Sequence, residues 1–190
     1  MKISGAGLIG AMWLIWAVYW FVAARSAKQD RRQESALSRA AHIVPLAIAG
    51  YLLGARMLPG GFLGGRFLPD TPATFYIGAA VTAFGLGFAI SARRVLGRNW
   101  SGIVTVKQDH ELVQEGPYRW VRHPIYTGLL IAFAGGAIAR GEWRGVLALA
   151  IVFVALWRKL RHEERWMIET FGDAYLRYRE KVRALIPFVL

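Results

Sequence analysis

Two polar blocks hold most of the side chains in this chain that are able to do chemistry. The first, His110 to Gly128, reads HELVQEGPYRWVRHPIYTG; the second, starting at His162, reads HEERWMIETFGDAYLRYREKV. Together they offer imidazole, phenol and carboxylate groups, which hold a polar small molecule by hydrogen bonds and charge pairing. Gly116-Pro117-Tyr118 reads as a turn. Pro124 suits the first turn of a helix, which sets His123 just ahead of a helix N-terminus and Tyr126 within its first turn. Gly128 then leaves room for another backbone to approach. The His and Glu residues of the blocks fit no compact ligand set, so no metal is expected. No Gly-x-Gly-x-x-Gly segment follows a strand, which removes the soluble dinucleotide-binding route. The chain has no Cys, excluding disulfides, thiolate nucleophiles and Cys-ligated metals.

Each of these residues also has a plainer reading. Glu163 and Glu164, interleaved with Arg161 and Arg165, read by themselves as the solvated face of an amphipathic helix. Tyr175 and Tyr178 read as packing residues of a short C-terminal helix, and His42, outside both blocks, as an interfacial hydrogen-bonder. Arg119, Arg165, Arg177, Arg179, Lys181 and Arg183 read as contacts to anionic lipid headgroups.

The elements that position the blocks are apolar. Of 190 residues, 55% are hydrophobic, with eight Trp, ten Phe and seven Tyr, which suits long apolar and interfacial surfaces. The net charge of +12 sits in clusters between apolar runs and forms no continuous basic face, so membrane lipid rather than nucleic acid is the expected partner. Five runs are visible: Gly5 to Ala24, Ile43 to Leu58, Ala73 to Ala92, Ile125 to Ala139 and Gly145 to Trp157. The first is uncharged and about 20 residues long, enough to cross a bilayer. Trp13, Trp16 and Trp20, with the flanking charge placed after the run, argue against a cleaved leader. The third carries GAAVTAFGLG, small residues that permit close helix packing. The fourth and fifth, joined by RGEWRG, form a helical hairpin of short spans. From Trp157 the helix is expected to continue through Glu164 to about Phe171, stop at Gly172 and give way to a short helix from Ala174 to about Val182. The apolar end LIPFVL packs back on the domain or dips into the interface.

The fold class expected is therefore an all-α integral membrane protein with about five transmembrane helices, a single domain over 1–190, and a cap built from 93–124 and 158–190. Segments 25–42, 93–124 and 158–190 carry 19 Lys and Arg, against four in the N-terminus, 59–72 and 140–144. The positive-inside rule then places the N-terminus outside and the C-terminus, with both polar blocks, in the cytoplasm. The membrane expected is the cytoplasmic (inner) one.

The two blocks, in this order and spacing, resemble the isoprenylcysteine carboxyl methyltransferase family of integral membrane enzymes, whose wider group includes phospholipid N-methyltransferases. The resemblance covers roughly 75 to 187 and makes 73–190 the catalytic region, with 1–72 supplying N-terminal helices. It implies S-adenosylmethionine as cofactor, contacted by His110, Glu111, Leu112, Val113, Tyr118, His123, Pro124, Ile125, Tyr126 and Glu163. It also implies a lipophilic acceptor, foremost a prenylcysteine-like carboxylate. A carboxylate is already ionised at neutral pH and needs no strong base, so alignment and exclusion of water are the protein's contributions. The family's substrate-associated Arg falls at Lys159, flanked by Arg158 and Arg161. Lys159 and Arg158 are thus the catalytic candidates, Lys keeping the charge but losing the bidentate fork. The alternatives are N-methylation of a phospholipid and, further off, an NADPH-dependent reduction of the sterol-reductase kind.

Overall fold

Helix ends in this chain are written by Ser, Thr, Pro and Gly, and the computed structural model follows them closely. It describes residues 5–25, 30–55, 61–97, 100, 105–107, 112–187 and 189. Six helices follow in order: α1 (Gly5–Ala24), α2 (Ala36–Gly54), α3 (Pro72–Leu96), α4 (Pro124–Arg140), α5 (Trp143–Phe171) and α6 (Asp173–Lys181). Ser35 caps α2 by accepting from the Ser38 N–H at 3.2 Å, and Thr71 caps α3 from Thr74 in the same way, with Pro72 in its first turn. Pro124 starts α4 as expected. Gly172, at φ +50°, ends α5 with its N–H on the Ile168 carbonyl.

α1, α2 and α3 are long and apolar enough to cross a membrane; α4 and the apolar half of α5 complete about five spans. The protein is an all-helical integral membrane protein. The fourth and fifth runs form the expected hairpin, turned at Gly141 in a left-handed conformation. α2 begins seven positions before its apolar run because the Ser35 cap draws residues 36–42 into the helix. One feature was not foreseen: β1 (Asp30–Gln33) pairs antiparallel with β2 (Thr105–Lys107), Gln33 opposite Thr105. Neither segment is long enough to show the alternation that announces a strand.

The bundle is drawn together by α3 against α4. A Cβ at Gly85 would collide with the backbone of Gly128 and Ala132, and one at Gly128 with Gly85 and Ala89, so the two helices meet backbone to backbone. Between them Thr82 donates to Gly78 O at 2.9 Å and Ala132 O at 3.3 Å, a buried hydroxyl that ties the helices at the centre of the seam. Small residues and such a hydroxyl are what apolar surroundings reward, because lipid provides no hydrophobic drive between helices.

The inter-helix segments sort onto two ends of the bundle. At one, Phe67 N–H donates to Gly141 O, Arg144 bonds Glu142 at 2.5 Å and Ala55 O at 3.0 Å, and Arg140 donates to Leu53 O at 2.6 Å. At the other lie the β1–β2 pair, a Ser38–His162 side-chain contact of 3.4 Å, α6 and the C-terminal segment. That segment packs back: Arg122 N–H donates to Arg183 O and His123 N–H to Ala184 O, while Ala184 and Leu185 are buried.

Candidate functional site

At the second end the first turn of α4 lies against α5 just beyond its apolar half, and the two polar blocks meet there. The C-terminal segment accepts the backbone N–H groups of Arg122 and His123, which an isolated helix start would leave unpaired. Held in this way, the His123 ring lies parallel to Tyr126, centroids 5.4 Å apart and planes within 2°. Tyr126 O–H donates to Glu163 Oε1 at 2.6 Å, and His123 Nδ1 stands 3.6 Å from Glu163 Oε2. Lys159, one turn before Glu163 in α5, has its Nζ 3.9 Å from Glu163 Oε1 and 5.5 Å from the centre of the Tyr126 ring. A carboxylate, an imidazole, a phenol and an ammonium thus converge from two helices.

The neighbouring carboxylate does something else. Glu164 Oε1 accepts from Arg122 Nε at 2.8 Å and Nη2 at 2.6 Å, and stands 3.3 Å from His123 Nε2. The remaining Arg122 nitrogen donates to the carbonyls of Val182 and Arg179, so one guanidinium joins α4, α5 and the chain end. Burial by itself would raise the Glu164 carboxyl; the hydrogen bonds and charges of His123 and Arg122 outweigh it and hold the group at about 2. Its side chain is 6% exposed, that of Glu163 20%. Glu164 is a brace, and Glu163 is the carboxylate a ligand can reach. The plainer alternative, a solvated face beside Arg161 and Arg165, does not describe the pair, because the first polar block lies across from it and covers Glu164.

Of the other sequence-derived candidates, Tyr118, Pro124 and Ile125 are buried against the cluster's base, and Leu112 and Val113 are half-buried, Val113 against the core. Burial first, then the nearby Tyr178 and Glu163, push the Tyr118 phenol above its ordinary range, so it stays protonated. Its carbonyl accepts from Tyr178 O–H at 2.5 Å; Tyr175 and Tyr178 are buried packing residues, as expected. His110 and Glu111 lie outside the described residues. Arg158 is not brought to the cluster: it turns toward Ser38 O, 3.4 Å away, on the flank of α2. Sequence reasoning missed Arg122 and Glu164, whose only signal was adjacency to His123 and Glu163. It also set aside His42, which is 4% exposed with Nε2 3.5 Å from Glu34 Oε1.

Fold and cluster define a class: a helical membrane protein that gathers polar, charge-bearing groups from two motifs at one membrane boundary. The chain belongs to the phospholipid methyltransferase family, whose model matches residues 73–174, more than half of its length. It is 36% identical over 105 residues to protein-S-isoprenylcysteine O-methyltransferase of Schizosaccharomyces pombe, covering 52% of this chain and 43% of that protein. The corresponding enzyme of Saccharomyces cerevisiae is 36% identical over 104 residues, with 52% and 42% covered. Methanethiol S-methyltransferase 1 of Bradyrhizobium diazoefficiens is 38% identical over 72 residues, with 37% and 24% covered. A solved structure of the eukaryotic intramembrane Ras methyltransferase (isoprenylcysteine carboxyl methyltransferase) superposes with a TM-score of 0.51 at 26% identity, covering 80% of this chain and 52% of that one. The matches thus span about half or less of these relatives' own length.

Proposed function

We propose that this chain is an S-adenosylmethionine-dependent methyltransferase that modifies the carboxylate of a lipophilic, prenylcysteine-like acceptor at a membrane boundary. The observation that carries the reading is the convergence of His123, Tyr126, Lys159 and Glu163 from two separate motifs. The named relatives support O-methylation of a prenylcysteine over N-methylation of a phospholipid.

The cluster's chemistry fits such a cofactor. Glu163 is a reachable carboxylate, able to accept from an amino group or from ribose hydroxyls; the half-buried Leu112 and Val113 would supply an apolar wall for adenine. His123, Tyr126, Pro124, Ile125 and Tyr118 shape the remainder, and His110 and Glu111 belong to the same proposed contact set. The bound cofactor supplies an electrophilic methyl on a cationic sulfur. The protein's part is to hold the acceptor carboxylate on Lys159 and exclude water, since an ionised carboxylate already has the lone pair it needs. Arg158, exposed and turned toward Ser38, is better suited to guide an anionic acceptor than to grip it.

On this reading 1–190 works as one membrane domain, with 1–72 supplying N-terminal helices to the catalytic 73–190. The site end of the bundle faces the cytoplasm and the Arg66–Glu142 end faces outward in the cytoplasmic membrane, a reading supported by the excess of Lys and Arg on the site side. Calorimetry of S-adenosylmethionine with purified protein tests the cofactor. His123→Ala and Glu163→Ala each remove a charge-assisted or buried contact, on the order of 1–3 kcal/mol, so affinity falls roughly 5- to 150-fold. Undiminished binding in both folded variants removes the cofactor from this cluster. Binding of NADPH instead would transfer the reading to a reductase.

A further inference from the structure

The backbone that seats His123 continues into a stretch that protein covers only in part. Val121 bridges in parallel to Arg183, the N–H groups of Arg122 and His123 donate to Arg183 O at 2.8 Å and Ala184 O at 3.0 Å, and Thr127 Oγ1 donates to Leu185 O at 2.7 Å. From Arg183 to Leu185 the C-terminal segment thus follows the chain into the first turn of α4, the direction in which that helix enters the apolar bundle. Ala184 and Leu185 are buried, but Ile186 is 50% and Val189 73% exposed. Residues 186–190, IPFVL, carry no charge, whereas Lys181 and Arg183, both exposed, stand just ahead of them. On the neighbouring stretch Trp120 is 52% exposed, with the Arg119 guanidinium 5.3 Å from its ring centre. Cations first, an aromatic ring at the same level, then uncharged apolar residues: that is the order of a leaflet from headgroup to acyl chain.

We infer that residues 181–190 are a docking surface for an anionic lipid leaflet, and that lipid bound there completes the donor site. This rests on the proposed cofactor site at His123 and Glu163 and adds to it a lipid ligand that regulates it. The partner is lipid because α4 enters the membrane from Pro124, which sets the segment paired with residues 121–123 at the membrane boundary. Anionic headgroups answer Lys181 and Arg183, and acyl chains cover Ile186 and Val189, which water would leave as exposed apolar surface. The coupling to the site runs through backbone. The Arg122 guanidinium bonds the carbonyls of Arg179 and Val182, so the residue that locks Glu164 also grips this segment. Detached, the segment would deprive the Arg122 and His123 N–H groups of their acceptors and unseat the His123 ring from its place beside Tyr126 and Glu163. Ligands that both favour the docked arrangement strengthen each other's binding by the same factor, so lipid and donor should do so here.

The full chain has no Cys, so Val189→Cys gives it a single position for an environment-sensitive fluorophore. The protein is placed in vesicles of phosphatidylcholine, alone or mixed with phosphatidylglycerol, with a nitroxide on the acyl chains as quencher. The label is quenched from the lipid side, more strongly in the mixed vesicles, and added S-adenosylmethionine deepens the quenching. Each cation at an anionic surface strengthens docking about fivefold, so calorimetry on the unlabelled parent finds S-adenosylmethionine bound up to about 25-fold more tightly in the mixed vesicles. Lys181→Gln with Arg183→Gln removes that difference. Ile186→Asp with Val189→Asp, both at exposed positions and so compatible with folding, binds the donor weakly and equally in the two vesicles. A label reached only by a water-borne quencher, or one shielded from both quenchers as a second copy over this face would leave it, overturns the proposal. Equal donor affinity for the parent in the two vesicles overturns it while sparing the function above; a parent that binds no donor in either overturns both.

Discussion

Glu164 tests whether the brace behind the site behaves as its geometry demands. Its carboxyl is held at about 2 against an ordinary 4.5. At 1.36 kcal/mol per unit, that difference amounts to about 3 kcal/mol favouring the folded, ionised state. A folded-state pKa below the unfolded one means this contribution is fully present above pH 4.5 and is lost as pH falls toward 2. Glu164→Gln keeps the shape, removes the charge and leaves the buried Arg122 guanidinium with no anion. Removing one partner of a buried pair costs about 3–5 kcal/mol, in agreement with the titration figure. For a chain of this length that is on the order of 10 °C in melting temperature. Thermal melts at one fixed scan rate, parent against Glu164→Gln, read it out at several pH values. The gap should be largest near pH 7, start to narrow below pH 4.5 and close as pH falls through about 2, where the parent carboxyl itself takes up its proton. A gap absent at pH 7, or unchanged at pH 3, refutes the assignment of Glu164 as the charged brace.

Lys159→Ala should depress carboxylate methylation strongly with little change in cofactor affinity, and Lys159→Arg should retain or raise it; turnover of a prenylcysteine analogue indifferent to Lys159→Ala removes the residue from acceptor binding. Gly85→Leu should lower the melting temperature sharply and reduce detergent-extracted folded protein, since its side chain meets the backbone of Gly128 and Ala132; the cost of such overpacking is about 1–3 kcal/mol or more. A reporter fused after Leu190 should be active only in a form that works in the cytoplasm, and one placed near Gly64 only in a form that works outside. Signals of the same kind from both positions break the five-span topology.

Much of the fold was legible because each helix end has a local cause. Pro124 and Gly172 act through their own backbone preferences, and GAAVTAFGLG announced a close approach that Gly85 and Gly128 realise. The approximate location of the site was legible for a different reason: polar residues between apolar runs have few structural uses at a membrane boundary. What stayed hidden was decided across the bundle. Glu163 and Glu164 are adjacent in a charged helical stretch, and nothing local distinguishes the reachable carboxylate from the one locked under Arg122. His42 read only as an interfacial hydrogen-bonder because its buried partner Glu34 lies ahead of the helix, in a segment with no signal of its own.

The division of labour between the two carboxylates also bears on how two ligands share the site. Arg122 holds Glu164, while Glu163 and Lys159 lie 3.9 Å apart on successive turns of α5. On the proposed reading a cationic donor is drawn to the first and an anionic acceptor to the second, which orients them toward each other. Each must also compete with the Lys159–Glu163 contact. Once one ligand has drawn its residue away, the Lys159–Glu163 contact no longer opposes the second ligand. Donor and acceptor should therefore strengthen one another's binding by the same factor, as linkage requires. The Glu163→Gln variant should weaken the donor and abolish that coupling together, because it removes both the donor's anchor and the contact the two ligands compete for.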